Sequence, residues 1–278
     1  MPEGPEMRRA AAELDAVLRG RRVANAWFRF PHLRNAGRRL SGERVRGVRA
    51  RGKALIVDFA NGESIYTHNQ LYGKWLVGPA GERPDTNREL RLALETRAHA
   101  ALLYSASEIE VLATGKLERH AYVRKLGIEL LDDATTLAQV RAQLDQPRFA
   151  GQRLGALLLD QGFLAGIGNY LRSEILFVAK LHPDERLGAL DGKARQCLAR
   201  ASLAITRRAY RTGGITNAPS IAKRLKSAGL PYDRYRHYVF DRDTEPCHSC
   251  ATRIRRIIDA GRQLYLCMRC QGATPWPR

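Results

Sequence analysis

The spacing of apolar positions changes twice along the chain. Over residues 3–19, Met7, Ala10, Ala11, Leu14, Val17 and Leu18 recur every three or four positions, and Gly20 stands where a helix commonly stops. This predicts an opening amphipathic helix. From Arg22 to about Leu112 the apolar residues gather instead into short runs rich in Val, Ile, Tyr, Phe and Trp, among them 23–30, 54–59, 64–68, 75–77 and 100–104. Gly, Pro, Asn and Asp separate these runs, as in a β-sandwich or barrel. After about residue 120 the helical period returns over 137–144, 154–161, 170–179 and 191–210, which predicts a bundle. The stretch 212–231 combines glycines, two prolines and three basic residues, a composition suited to a mobile basic loop, and 232–272 reads as a small β-hairpin unit around cysteines. The expected fold class is therefore α+β and multidomain. The expected divisions are an N-terminal domain over 1–120, a linker over 121–135, a helical domain over 136–242 and a terminal unit over 243–278.

Composition narrows the function. The length of 278 residues suits two domains at about 150 residues each. No apolar run approaches the roughly 18 residues of a membrane-spanning helix, and the mean hydropathy is -0.38. Glu3 and Glu6 precede any basic residue and no apolar stretch follows, so no secretory signal is expected and a cytoplasmic protein is. A formal charge of +19, carried by 47 Lys and Arg against 28 Asp and Glu, draws in polyanions, of which nucleic acid is the most abundant. A basic protein whose arginines merely solvate its surface is the rival at this level.

Four cysteines add chemistry. Cys247, Cys250, Cys267 and Cys270 form two C-x2-C pairs sixteen residues apart, the spacing of a structural zinc site that offers four thiolates and no open position. Cys197 stands alone in a helical pattern and reads as a packing residue. Between the pairs, β-branched and aromatic residues flank Asp259, Ala260 and Gly261, so a zinc-clamped hairpin is expected with Arg262 at its tip. There a guanidinium either forks two phosphate oxygens or is solvated, and spacing does not decide. The turn from Gly162 to Asn169 joins two apolar helical segments through three glycines. It either packs helices without a ligand or presents amide groups and the Asn169 side chain to a phosphate. At the N-terminus, loss of Met1 would leave Pro2 as a secondary amine ahead of the opening helix. The positive end of that helix disfavours protonating the amine, which could then attack a carbonyl-like carbon and give an iminium electron sink. Taken alone, Pro2 reads as a routine helix-starting proline.

Together MPEGPE, RGKALI around Lys53, the GIGN turn and the terminal cysteine quartet ending in CQ resemble the formamidopyrimidine-DNA glycosylase and endonuclease VIII family, over essentially the whole chain. THNQLYGKW resembles the endonuclease VIII branch. The resemblance implies a β-sandwich catalytic domain with a leading helix, a helical domain with a helix-two-turn-helix, and a zinc β-hairpin finger holding one structural zinc ion. It implies a bifunctional glycosylase and AP lyase of base excision repair that removes oxidised pyrimidines from damaged double-stranded DNA and cuts by β,δ-elimination. Pro2 would be the nucleophile, Glu3 its acid/base partner, Lys53 a catalytic lysine meeting the phosphate near the lesion, and Glu6 a supporting acid. Gln70, Leu71 and Tyr72 would form a wedge in the gap left by the extruded base, and Asn169 and Arg262 would clamp phosphates. Glu174 would be a buried structural acid. The expected protein is a monomer of the cytoplasmic nucleoid with no membrane partner. The GGITN stretch is closer to the base-contacting loop of the formamidopyrimidine branch, so a glycosylase for oxidised purines is the alternative enzyme; a non-catalytic zinc-finger lesion binder is the alternative of another class.

Overall fold

The structure, a computed structural model, describes residues 2–272. Met1, whose retention would block an amine at Pro2, lies outside the described residues. The chain forms two compact units that divide between Lys125 and Leu126.

The first unit opens with α1 (Gly4–Leu18), β1 (Asn25–Phe28), α2 (Arg34–Leu40), β2 (Val45–Arg51), β3 (Ala54–Phe59) and β4 (Glu63–His68). It continues through β5 (Lys74–Pro79), β6 (Leu90–Glu95), β7 (His99–Tyr104) and β8 (Glu108–Ala113). Two antiparallel four-stranded sheets result, in the orders β1-β6-β7-β5 and β2-β3-β4-β8. One apolar core draws Trp75, Leu92, Leu94 and Leu103 from the first sheet and Val48, Leu55, Val57 and Ile65 from the second, with Met7, Ala11, Leu14 and Leu18 of α1, which makes the pair a sandwich. The run Ala54–Phe59 lacks polar alternation because β3 is buried on both faces. Leu55 and Val57 enter that core, while Ala54 and Ile56 pack with Tyr66, Leu117 and Val123 on the other side.

The second unit contains β9 (Ile128–Glu129), α3 (Leu137–Leu144), α4 (Leu154–Leu157), β10 (Leu164–Ala165), α5 (Asn169–Ala179), α6 (Gly192–Arg211), α7 (Pro219–Ser227), α8 (Tyr232–Tyr235), β11 (Arg255–Asp259) and β12 (Arg262–Leu266). Thr136 and Gln139 form a capping box on α3, and Asp191 Oδ1 accepts the Ala194 amide at 2.7 Å to start α6. Two sequence expectations change here. The helix expected over 154–161 stops at Leu157, because the chain turns at Asp160, whose Oδ1 accepts the Gly162 amide at 2.8 Å. The mobile loop expected over 212–231 contains the helix α7. Pro219 begins it, Ile221 packs on the helical core and Gly229, at φ +79°, follows its end.

Glu174 is wholly buried on α5 and accepts the amides of Tyr238, Val239 and Phe240 at 2.7, 2.8 and 2.9 Å, together with the Thr216 hydroxyl. Burial pushes its carboxyl above the usual range, and these donors oppose that shift. Glu174→Ala would strand three amides in the core. We expect a loss of about 3 kcal/mol or more of unfolding free energy, seen as a lower urea midpoint at unchanged slope.

Candidate active site and nucleic-acid interface

At the head of α1, Pro2 is half-buried and Glu3 is 2% exposed. Glu3 and Glu6 form a capping box in which the Glu3 amide donates to Glu6 Oε2 at 3.0 Å, and Glu6 Oε1 takes Arg9 at 3.1 Å. Glu6 thus holds the backbone beside Pro2 in place.

Lys53 occupies the two-residue turn between β2 and β3, after Gly52 at φ +58°. It is 9% exposed, and its amide donates to the Tyr122 hydroxyl at 2.9 Å. The Tyr122 ring lies 5.1 Å from that of His68. Burial holds His68 below its usual pKa; the Lys53 charge lowers it further, and Glu108 opposes both. Neither His68 nor Tyr122 carries a sequence signal of its own, although His68 adjoins the wedge motif.

The wedge motif lies in a turn between β4 and β5, closed by the Gly73 amide on the Asn69 carbonyl at 2.7 Å. A side chain at Gly73 would come within 2.6 Å of the Asn69 backbone, so glycine is required there. Leu71 and Tyr72 stand 57% and 68% exposed at its apex. Asn69 Nδ2 reaches the Met7 sulfur at 3.5 Å, which sets the turn beside the first turns of α1.

In the second unit, the side chain of Gln161 staples the GIGN turn. Its Nε2 donates to the Leu159 and Ile167 carbonyls at 2.9 and 3.0 Å, and its Oε1 accepts the Gly166 amide at 3.1 Å. α5 then begins at Asn169. Arg172, fully buried, donates through Nη2 to Asn169 Oδ1 at 2.9 Å, which leaves the Asn169 amide group as the donor end. The same guanidinium reaches Asp259 Oδ2 at 3.0 Å and the Gln263 carbonyl at 3.1 Å, at the end of the hairpin β11–β12. Ala260 and Gly261, both at positive φ, make the two-residue turn, and Arg262, paired with Asp259, is exposed just beyond it. Neither Gln161 nor Arg172 carries a sequence signal, because each acts on residues distant in sequence or on backbone atoms.

The four cysteine sulfurs lie within 4.8 Å of one another, with Cys250 and Cys267 3.4 Å apart and Cys247 and Cys270 3.9 Å apart. A tetrahedral zinc thiolate site has sulfurs about 3.8 Å apart, from bonds of about 2.3 Å. The quartet fits such an ion. Gln271 secures it from behind, accepting the Cys267 amide at 2.8 Å and donating to the Leu181 carbonyl at 3.1 Å.

Residues 1–107 match the family model of the formamidopyrimidine-DNA glycosylase N-terminal domain, 126–220 the formamidopyrimidine-DNA glycosylase H2TH domain, and 245–272 the zinc finger found in FPG and IleRS. The chain is 42% identical over 279 residues to an endonuclease 8 of Pectobacterium atrosepticum, covering 98% of this chain and all of that protein. It is 41% identical over 271 residues to an endonuclease 8 of Escherichia coli, with the same coverage. Among solved structures, the Lactococcus lactis Fpg in complex with DNA containing N7-benzyl-Fapy-dG superposes with a TM-score of 0.81 at 21% identity, over 98% of this chain and all of that one. The quartet, its geometry and the finger model together make one structural zinc ion the cofactor.

Because this ion closes the hairpin and Gln271 anchors it to the helical core, its removal should act locally. Elemental analysis should give one zinc per chain. Chelation should raise amide exchange across 247–272 while the sandwich over 23–113 stays protected; uniform deprotection of both would contradict a local structural role.

Proposed function

The chain belongs to the formamidopyrimidine-DNA glycosylase and endonuclease VIII family and is a DNA glycosylase and AP lyase of base excision repair, and we propose that its substrates are oxidised pyrimidines in duplex DNA. The observation that carries the catalytic reading is a proline heading α1 directly before a buried carboxyl, since a lesion binder without chemistry has no use for either. The strong identity to endonuclease 8 proteins favours the pyrimidine branch.

In this mechanism Met1 has been removed, and the secondary amine of Pro2 so freed attacks C1′ of the damaged nucleotide. The base leaves with the glycosidic bonding pair, and the sugar ring opens to a Schiff base with Pro2. Glu3, next to the amine, gives a proton to the departing group or ring oxygen and later assists loss of the C2′ proton. The cationic iminium takes up that electron pair, so β-elimination expels the 3′ phosphate and δ-elimination the 5′ phosphate. Lys53 meets the phosphate near the lesion, and the low exposure of its turn strengthens that charge contact. Glu6 orients the segment that carries Pro2. Gln70, Leu71 and Tyr72 enter the space of the extruded base and replace its stacking. Asn169, through its free amide end, and Arg262, at the hairpin tip, each hold a phosphate of the DNA. The protein acts as a monomer on damaged double-stranded DNA of the cytoplasmic nucleoid; among the described residues no helix is long and apolar enough to cross a membrane.

Borohydride should trap the enzyme on DNA through its N-terminal proline, and Pro2→Gly should change the trapped residue's mass accordingly. An adduct mapped to a lysine in the unmodified protein would refute the assignment of Pro2. On a panel of duplexes, thymine glycol and dihydrouracil should turn over faster than 8-oxoguanine; the reverse order would select the purine branch. Arg262→Ala should weaken binding to all sequences and lower the salt slope by about one unit, because one fewer counterion is released. An unaltered slope would remove Arg262 from the phosphate contacts.

A further inference from the structure

The turn Asn69–Gly73 is short, and its first apex residue sits in a conformation side chains rarely adopt: Gln70 has φ +47°. Its side chain is engaged all the same. Gln70 Nε2 donates to Glu108 Oε2 at 3.2 Å, and Ser107 Oγ donates to Gln70 Oε1 at 2.9 Å. A carboxylate only accepts, so Glu108 fixes which end of the amide faces it, and the carbonyl end is left to the serine. Glu108 is itself placed from two sides. The Tyr66 hydroxyl, rooted in the buried face of β4, donates to its Oε1 at 3.2 Å, and His68 Nδ1 lies 3.5 Å from its Oε2. The far side of the apex has its own support, since Arg88 Nη1 donates to the Tyr72 carbonyl at 2.6 Å. Leu71 and the ring of Tyr72 project from the apex without such support.

We propose that Glu108 is a positioning residue that seats Gln70 on the start of β8, so that Leu71 and Tyr72 are held ready for the gap in the duplex. The inference rests on the wedge reading of Gln70, Leu71 and Tyr72 given above and adds the part of the molecule that aims them. A turn held at a strained φ by two side-chain bonds has its ordering completed before DNA arrives, and a wedge ordered in advance loses less on insertion. Without the seat, Gln70 is free to leave the left-handed region, and the direction of the next two residues goes with it.

The test is single-turnover cleavage of dihydrouracil duplex and of abasic duplex by Glu108→Ala, Glu108→Gln, Ser107→Ala and Leu71→Ala. Glu108→Ala should slow processing of the stacked base by about tenfold, the effect of one lost hydrogen bond to a charged group, and leave abasic cleavage within about twofold. Glu108→Gln should recover most of that loss, because its carbonyl still accepts from Gln70 while its NH2 turns to Tyr66, whose hydroxyl can accept as well as donate. Ser107→Ala, at an exposed position, should shift the same ratio in the same direction by less, and it keeps the proposal testable if Glu108→Ala fails to fold. Equal losses on both substrates for Glu108→Ala, or no change of ratio in either Glu108→Ala or Ser107→Ala, would overturn the seat. Leu71→Ala separates this from the reading beneath it. A selective loss there with none at Glu108 overturns the seat alone, whereas equal losses on both substrates for Leu71→Ala overturn the wedge.

Discussion

The second unit depends on a guanidinium that water never reaches. A guanidinium is a donor-only cation, so the complete burial of Arg172 has to be answered by acceptors, and five oxygens answer it: one side-chain oxygen of Asn169, the carbonyls of Gly155 and Gln263, and both a carboxylate oxygen and the carbonyl of Asp259. Those oxygens come from the α4 segment, from the start of α5 and from both strands of the finger hairpin. The charge therefore fixes elements that the chain places far apart, and Arg153 completes the set by taking the other Asp259 oxygen at 2.5 Å. Two groups proposed to touch DNA, Asn169 and Arg262, owe their placement to this one buried ion cluster. Their chemistry is at the surface; what directs it is inside.

The first unit reaches a comparable end by different means. Its proposed chemistry gathers at turns and at a helix start, on a scaffold of two sheets and α1 packed into one core. Lys53 rides on a hairpin turn whose glycine accepts a positive φ, and Asn69 ties the wedge turn to Met7 on the helix that Pro2 heads. Rigid strands carry short connections, so the reacting groups are set within small tolerances while still facing outward.

Much of this was legible from residue order. The short apolar runs and the 3.6-residue stripes marked β3, β4, β7, α3 and α5 closely, because most of the larger apolar residues in each pack into a core. The cysteine quartet and the hairpin turn at Ala260 and Gly261 were legible because metal ligands and positive-φ turns restrict residue type. α7 was not, since glycines and prolines at its flanks masked a nine-residue helix with no buried residue, of which Ile221 packs on the core. Nor were Arg172, Gln161, Glu108 and Tyr122. Arg172, Glu108 and Tyr122 have partners 87, 38 and 69 positions away, and Gln161 binds backbone atoms, which any residue supplies, so no local spacing encodes these roles. Glu174 is the buried acid that the resemblance implies, yet its three amide partners at 238–240 lie 64 to 66 positions along the chain, beyond any local pattern.

The close approach at Gly73 has a consequence for how such an enzyme can vary. With the Asn69 backbone where a Cβ would stand, the turn admits neither a bulkier residue at its closing position nor an added residue without losing its closing bond. Its span is a fixed gauge. If the turn is the proposed wedge, substitution at its tip can change the shape, polarity or bulk it offers, while its closure limits how far it reaches, so variation through this turn falls on three side chains.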